Sequence, residues 1–142
     1  MSPPLIRILN GSLSICLSAA TLSFGAFLAQ VQNAPDWLPQ AEGTYAGEIW
    51  NDGSAIASET TFTLNEDGAI TGSYVMHEPD KDVSGTISDC QLVDTLTLQC
   101  TWDDVYGTGD LRVTFAEDFS QFDGYWTPAA GLELGFGWNG SR

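Results

Sequence analysis

Phe62–Tyr74 reads FTLNEDGAITGSY, and Val113–Trp126 repeats its pattern as VTFAEDFSQFDGYW. Each stretch alternates apolar and polar residues, passes through an acidic turn, alternates again and ends in glycine and an aromatic residue. The acidic turns are Glu66-Asp67 and Glu117-Asp118. Alternation with a period of two is typical of β-strands that bury one face. The chain is therefore predicted to form the same β-hairpin twice.

Turn residues recur regularly through the rest of the chain after residue 43, a spacing typical of a β-barrel or β-sandwich. The alternation predicts eight strands, over Thr44–Trp50, Thr60–Asn65, Ala69–His77, Val83–Ser88, Leu96–Asp103, Asp110–Ala116, Gln121–Thr127 and Glu133–Asn139. We expect an all-β fold in which an eight-stranded antiparallel up-and-down meander closes into a barrel. A two-sheet sandwich is the alternative, because alternation alone does not separate the two.

The large apolar residues of these strands share one face by parity, and the opposite face is polar. Five aromatic residues of the apolar face are candidates to line a ligand site: Tyr45, Tyr74, Trp102, Trp126 and Trp138. The same residues could instead fill the barrel, because the interior of eight strands holds only side chains or one small ligand. The sequence leaves both interpretations open.

The N-terminal part of the chain is predicted to be a targeting segment. Arg7 is the only charged side chain before Asp36, and Ile8–Ala29 is uncharged and mainly apolar. We predict a signal peptide or N-terminal membrane anchor helix over residues 1–29, a linker over 30–42 and the barrel domain over 43–142. The domain is then exported, periplasmic or extracellular, and residues 8–29 anchor it to the inner membrane if they are not cleaved.

The acidic residues are concentrated in the exported part. All nineteen Asp and Glu residues follow residue 34, against Lys81, Arg112 and Arg142, which leaves a formal charge of −16 there. Such a surface repels phosphates and anionic lipids, so we expect no nucleic-acid binding and membrane contact only through an uncleaved N-terminal segment. It can attract a basic partner or calcium.

Cys90 and Cys100 are predicted to form a disulfide, because they are the two cysteines left once the signal segment is set aside. Parity places Cys100 on the apolar face and Cys90 on the polar face. Bridged neighbours should share a face, so we also expect a β-bulge or a change of register near Asp89-Cys90.

Residues that could support catalysis or bind metal are few. His77 is the only histidine, which argues against Ser–His or Cys–His catalysis and against zinc sites built from several histidines. We expect a non-enzymatic protein without a cofactor. Two acidic loops are weak candidates for calcium, through Glu78, Asp80 and Asp82 and through Asp103, Asp104 and Asp110.

Two partial resemblances to known families rest on these motifs. Gly43-Thr44-Tyr45 and Asp67–Tyr74 resemble the opening strands of the avidin–streptavidin family of eight-stranded meander barrels, which implies a biotin-contacting role for Tyr74. The region from Trp102 to the closing Trp138-x-Gly140-x-Arg142 is similar to domains of uncharacterised exported bacterial proteins, which implies export and fold but no activity. We expect Arg142 to fold back onto a carboxylate and fasten the last strand.

The function favoured by these observations is a non-catalytic binding module of the cell envelope that contacts a protein partner through its outer surface or loop ends. The alternative is a carrier that holds a small apolar ligand inside the barrel, as lipocalins and avidins do. A carrier needs an interior void ringed by the five aromatic residues, whereas an interaction module needs a filled core.

Overall fold

A computed structural model of the chain describes residues 34–129 and 135–142. In order, the elements are α1 (Leu38–Ala41), β1 (Gly43–Asn51), β2 (Ser54–Leu64), β3 (Ile70–His77), β4 (Asp82–Asp94), β5 (Thr97–Asp104), β6 (Gly107–Phe115), β7 (Gln121–Pro128) and β8 (Phe136–Ser141). The prediction of an all-β fold with eight strands is confirmed.

The strands form a closed barrel in which every strand pairs antiparallel with its neighbours in sequence. β1 closes the sheet by pairing with β8, from Ala46 opposite Ser141 to Ile49 opposite Trp138. The barrel prediction is therefore confirmed over the sandwich. A meander places successive connections at alternate ends. We call the end with the β1–β2, β3–β4 and β5–β6 turns the cleft end, and the end with α1 the helix end.

The two repeated hairpins are β2–β3 and β6–β7, and their turns are built alike. In the first, Asp67 Oδ1 accepts a hydrogen bond of 3.0 Å from the backbone N–H of Ala69. In the second, Asp118 Oδ1 accepts one of 3.0 Å from the backbone N–H of Ser120. A carboxylate that bonds the backbone two residues on is a typical turn-forming device. The two aspartates of the repeat therefore shape the turns.

The β1–β2 hairpin is longer than predicted, because β2 begins at Ser54 and not at Thr60. Asp52 (φ 47°) and Gly53 (φ 80°) form a two-residue turn in which both residues have positive φ. Asp-Gly is a preferred pair for this hairpin turn and was the signal that alternation alone missed. Among the residues that follow, Ser54–Glu59, only Ile56 is large and apolar, so the alternation on which the prediction relied is weak there.

The predicted bulge and disulfide are both present. The pairing of β4 with β5 shifts register between Ser88 and Gln91, and Asp89 adopts a positive φ of 52° inside the shift. Cys90 is thereby turned toward Cys100, and the two form a disulfide with their Cα atoms 4.0 Å apart. An extra residue in one strand moves the residues after it to the opposite face of the sheet. Such a change is needed here, because the two bridged cysteines must share a face.

The apolar face predicted from parity is the barrel core. Its large residues that are buried are Tyr45, Ile49, Phe62, Ile70, Tyr74, Met76, Val83, Ile87, Leu98, Trp102, Leu111, Val113, Phe115, Phe122 and Trp138. Leu134, which the same parity places inward, lies outside the described residues. Glycines make room for the largest rings. Gly85 pairs with Tyr74 across β3 and β4, and a Cβ on Gly85 would lie 2.2 Å from the Tyr74 ring.

The helix end is closed by aromatic packing. Trp37 lies 6.0 Å from Phe115 and 5.9 Å from Phe119 between ring centroids. Leu38 and Ala41 of α1 are buried, and the Tyr45 hydroxyl donates to the Ala41 carbonyl at 3.0 Å. The described part of the predicted linker, residues 34–42, therefore packs against the barrel, so the folded domain begins before Gly43.

Arg142 fastens this end, but through different partners from those expected. Its Nε donates to the Phe119 carbonyl at 2.9 Å, and its two terminal nitrogens donate to the carbonyls of Gln40 and Glu42 at 2.7 and 2.6 Å. The guanidinium also lies 4.7 Å from the centroid of the Tyr45 ring. The expected carboxylate contact was wrong. The planar fork of donors instead binds three main-chain oxygens and joins β8 to α1.

The N-terminal predictions fall on residues that the structure does not describe. Residues 1–29, with the proposed signal or anchor over 8–29, lie outside the described ranges, as do 30–33 of the predicted linker. Within those ranges, no helix has the length and apolar character needed to cross a membrane.

Two polar residues of β2 point into the core and lead to a matched prediction. Thr60 Oγ1 accepts a hydrogen bond of 3.0 Å from the Trp138 indole N–H, whereas the buried Ser58 Oγ has no partner among the residues that the structure describes. Thr60→Val leaves the indole N–H buried and unpaired, so we expect it to lower the free energy of unfolding by about 1–3 kcal/mol. Ser58→Ala removes an unpaired hydroxyl and should leave that free energy unchanged or raise it. Urea unfolding of both variants tests these two predictions, and an equal loss of free energy of unfolding in the two variants would contradict them.

Candidate functional site

A narrow cleft lies at the cleft end of the barrel, where the interior meets the turns. It is lined by aromatic, apolar and polar side chains drawn from β1, β3, β5, β7, β8 and the β5–β6 turn: Ile49, Asn51, Tyr74, Met76, Trp102, Asp104, Tyr106, Trp126 and Trp138. Its volume is about 30 Å³. A single enclosed water needs roughly 10–15 Å³, and a small-molecule pocket is typically about 300–1,000 Å³. The cleft can therefore admit the tip of one side chain.

The aromatic walls of the cleft are held by edge-to-face packing. Tyr74 and Trp138 have ring centroids 4.6 Å apart at an interplanar angle of 75°. Trp102 and Trp126 have theirs 5.3 Å apart at 81°. Perpendicular aromatic pairs of this kind are favourable because the positive edge of one ring meets the negative face of the other.

The three tryptophan N–H groups are all used within the protein. Trp102 Nε1 donates to the Thr127 carbonyl at 3.1 Å, and Trp126 Nε1 donates to the Trp50 carbonyl at 2.9 Å. Trp138 Nε1 donates to Thr60 Oγ1. These bonds orient the rings and occupy their donors. The remaining π surface interacts best with apolar groups or with a cation.

Asp104 supplies a carboxylate to this aromatic site. Its Oδ2 accepts a hydrogen bond of 2.7 Å from the Tyr74 hydroxyl, and its Oδ1 accepts one of 2.8 Å from the backbone N–H of Tyr106. Burial, and next the bond to Asp104, raises the pKa of Tyr74 well above its usual range. Tyr74 is thus a neutral donor in its hydrogen bond to the half-buried Asp104 side chain.

Tyr106 stands at the rim of the cleft and is 54% exposed. Its hydroxyl donates to Glu78 Oε2 at 2.8 Å, and this bond is the main reason that the pKa of Tyr106 is raised. Asn51 donates to the other oxygen of Glu78 at 3.3 Å. The ammonium of Lys81 lies 5.8 Å from the centroid of the Tyr106 ring, within the range of a cation–π interaction.

A wider groove adjoins the cleft between the β1–β2 and β3–β4 turns. It has a volume of about 580 Å³ and shares Asn51 and Tyr106 with the cleft. Asp52 and Glu78 add carboxylates to its lining. The two concavities therefore form one continuous acidic and aromatic surface at this end of the barrel.

The structure brings together four of the five candidate ligand-lining residues. Tyr74, Trp102, Trp126 and Trp138 line the cleft, whereas Tyr45 lies at the helix end. There Tyr45 packs on Phe62 and Phe122, with ring centroids 6.0 and 5.3 Å away. The five residues consequently do not ring one void.

Three of the six candidate calcium ligands are already hydrogen-bonded to other side chains. Glu78 is bonded to Tyr106, Asp82 to His77 and Asp104 to Tyr74. The remaining three, Asp80, Asp103 and Asp110, are exposed. Across residues 34–129 and 135–142, no three His, Cys, Asp or Glu side chains are grouped so that they could hold a metal ion.

His77 lies outside the cleft, between two carboxylates. Its Nδ1 is 2.9 Å from Asp82 Oδ1, and its Nε2 is 3.6 Å from Glu59 Oε2. The hydrogen bond to Asp82, and then the charges of Asp82 and Glu59, raise the pKa of His77. The two carboxylates therefore stabilise the charged form of the imidazole relative to that of a free histidine.

We expect an NMR titration of the His77 ring to give a pKa above the usual value of about 6.5. Because the folded-state pKa is the higher one, this group stabilises the fold below the unfolded pKa, and the contribution disappears as pH rises through the folded pKa. Asp82→Asn should bring the His77 pKa back toward its ordinary value. An unchanged pKa in that variant would contradict the assignment to Asp82.

Sequence reasoning did not single out Asn51 and Tyr106 as site residues, and it placed Asp104 with the calcium candidates. All three stand at the C-terminal ends of strands or in the turn that comes next. The register of the strands decides which side chains become neighbours at one rim of a barrel, and the sequence alone does not give the register. The usable signal was that β1, β3 and β5 all end at the same rim of a meander.

Comparison with known proteins gives no match, whether against family models, curated proteins or solved structures. The resemblances to avidin–streptavidin barrels and to exported bacterial domains therefore stay predictions.

Proposed function

We propose that the chain is a non-catalytic interaction module of the bacterial cell envelope and that it binds a protein partner with its cleft end. The observation that carries this proposal is the aromatic and acidic surface formed there by the cleft and the adjoining groove. Val105 and Tyr106 project at its rim and are 75% and 54% exposed. Exposed aromatic residues around a desolvated pocket are typical of the centres of protein interfaces.

The filled interior supports this proposal over the carrier alternative. Tyr74 and Trp138 are 3% and 2% exposed, and the space between them and their neighbours is about 30 Å³. A ligand carrier would need a cavity of roughly 300 Å³ or more. Expanding the cleft to that size would require breaking the edge-to-face aromatic pairs and their hydrogen bonds.

The position of His77 supports a role without catalysis. It does not line the cleft, and its two ring nitrogens face Asp82 and Glu59. The carboxylate in the cleft, Asp104, already accepts hydrogen bonds from Tyr74 and Tyr106. Neither group is placed to activate a nucleophile, and the site is better suited to binding.

Site-specific photo-crosslinking in the native host tests the proposal. A photoreactive phenylalanine analogue is introduced at Val105 or Tyr106, and a matched one at Glu117, which is exposed in the β6–β7 turn of the opposite end. We expect discrete protein adducts from the first two positions and none of the same mass from Glu117. Adducts from Glu117 alone, or native mass spectrometry showing a co-purified ligand of a few hundred daltons in place of protein adducts, would overturn the proposal.

A further inference from the structure

We infer that the cleft binds the side chain of a lysine carried by a basic segment of the partner protein. This inference rests on the proposed function and names the chemistry of its partner. The cleft provides aromatic faces, a carboxylate and room for one side-chain tip, and the groove beside it can hold the backbone from which that side chain comes.

The aromatic faces provide the first part of the attraction. A cation over the face of a tryptophan or tyrosine is drawn to the negative region of the ring, and tryptophan is the strongest of the aromatic residues in this respect. Trp102 and Trp126 line the cleft with their N–H groups already bonded elsewhere. Lys81 lies 5.8 Å from the Tyr106 ring centroid, so the rim of this surface already holds one ammonium group.

Asp104 provides the second part. An ammonium that leaves water needs hydrogen-bond acceptors and a counter-charge, or its desolvation outweighs the attraction. A carboxylate offers about four acceptor sites. Two at Asp104 are occupied, by the Tyr74 hydroxyl and by the Tyr106 backbone N–H. The remaining sites can accept from an incoming ammonium, which would leave both the carboxylate and the ammonium paired.

The charge of the domain complements such a partner. Nineteen carboxylates against three cationic side chains give residues 34–142 a formal charge of −16, and Asp52 and Glu78 bring part of that charge to the groove. A field of this sign speeds the encounter with a basic segment. The groove of about 580 Å³ is open enough for an extended chain to lie beside the cleft.

The dimensions favour lysine over other cations. Lysine has a compact ammonium on a flexible four-carbon stem, whereas the arginine guanidinium is a rigid planar fork. A cleft of about 30 Å³ admits the former more readily than the latter. A free quaternary ammonium is bulkier than a primary ammonium and has no N–H to give to Asp104.

The test is a titration of the ¹⁵N-labelled full-length protein with pentalysine, followed through its indole N–H signals. Trp102, Trp126 and Trp138 line the cleft, and Trp37 at the helix end is an internal control. We expect pentalysine to shift the three cleft signals and leave that of Trp37 in place. Penta-arginine should shift them less, and choline chloride should have little effect. A response to choline or penta-arginine that equals or exceeds that to pentalysine would overturn the inference.

Matched variants separate the site from general attraction to an acidic protein. Asp104→Asn and Asp123→Asn each remove one negative charge, but Asp123 lies exposed on the outer face of β7. We expect the first to weaken pentalysine binding about fivefold or more and the second less than about twofold. Tyr106→Ala and Tyr125→Ala form a second pair, and Tyr125 is exposed on the outer face. Equal effects within either pair would overturn the inference.

Failure of this inference can be told apart from failure of the proposed function. If crosslinks at Val105 and Tyr106 are specific but pentalysine leaves the cleft signals unmoved, the interaction module stands and the lysine assignment is wrong. If pentalysine shifts the cleft signals but no crosslinked partner is found at this end, the cation site stands and the envelope interaction is wrong.

Discussion

Replacing Gly47 by alanine is expected to prevent the barrel from closing properly. Gly47 pairs with Gly140 across the β1–β8 seam, and a Cβ at residue 47 would lie 2.0 Å from the Asn139 carbonyl oxygen and 2.7 Å from the Gly140 Cα. Both contacts are with backbone, which cannot rotate away. We expect Gly47→Ala to lower the free energy of unfolding by about 3 kcal/mol or more, measured by urea denaturation.

Gly137 of β8, which pairs with Tyr125 of β7, offers a matched control for this substitution. A Cβ at Gly137 would meet no atom of the described part of the chain within 4 Å. Gly137→Ala should therefore leave the free energy of unfolding unchanged or raise it slightly, because alanine has less backbone freedom to lose on folding. If both variants lose stability equally, the loss at residue 47 cannot be assigned to the close approach of β1 and β8.

Removing the disulfide is expected to have the second large effect. Cys90 and Cys100 are ten residues apart in sequence, and their bond ties the bulge of β4 to β5. In small disulfide-bonded domains, loss of a native disulfide typically costs about 2–5 kcal/mol, because the unfolded chain regains conformational freedom. We expect the double variant Cys90→Ala and Cys100→Ala to fall in this range by urea denaturation.

A reduced wild-type sample is the control for that experiment. Cys100 is 2% exposed, so its replacement also removes packing atoms, whereas a reductant breaks the bond and leaves both sulfurs in place. The difference between reduced wild type and the double variant therefore measures packing, and the difference between oxidised and reduced wild type measures the cross-link. Equal stability of the oxidised and reduced wild type would show that the cross-link contributes nothing.

Much of the fold was predictable because the alternation of apolar and polar residues along a strand shows which side chains face the core. In an antiparallel strand each second side chain faces the same side, so the positions of Phe62, Tyr74, Val113 and Phe122 in the repeated hairpin already indicated their burial. The disulfide was predictable from the cysteine count, and the bulge was predictable from parity. The parity conflict at Cys90 could be relieved only by an extra residue, and the register shift lies there.

The helix end was predictable only in part. Trp37 and Leu38 lie in a proline-containing stretch without periodicity, and nothing local indicates that they cover the barrel. Their burial depends on the cluster around Phe115, which is distant in sequence. The partners of Arg142 escaped prediction for a similar reason, because main-chain carbonyls carry no sequence signature.

By itself, the sequence determined the all-β architecture, the inward face of each strand, the two acidic turns, the bulge and the cysteine pair. Each of these depends on residues that are neighbours along the chain or opposite one another in a hairpin, where period and turn chemistry are sufficient. Only the tertiary structure decided that Tyr45 belongs to one end of the barrel and Tyr74 to the other, and that Asp104 and Tyr106 meet the tryptophans of β5, β7 and β8. The cleft depends on strand register around a closed sheet, and register is set by long-range packing of the whole core.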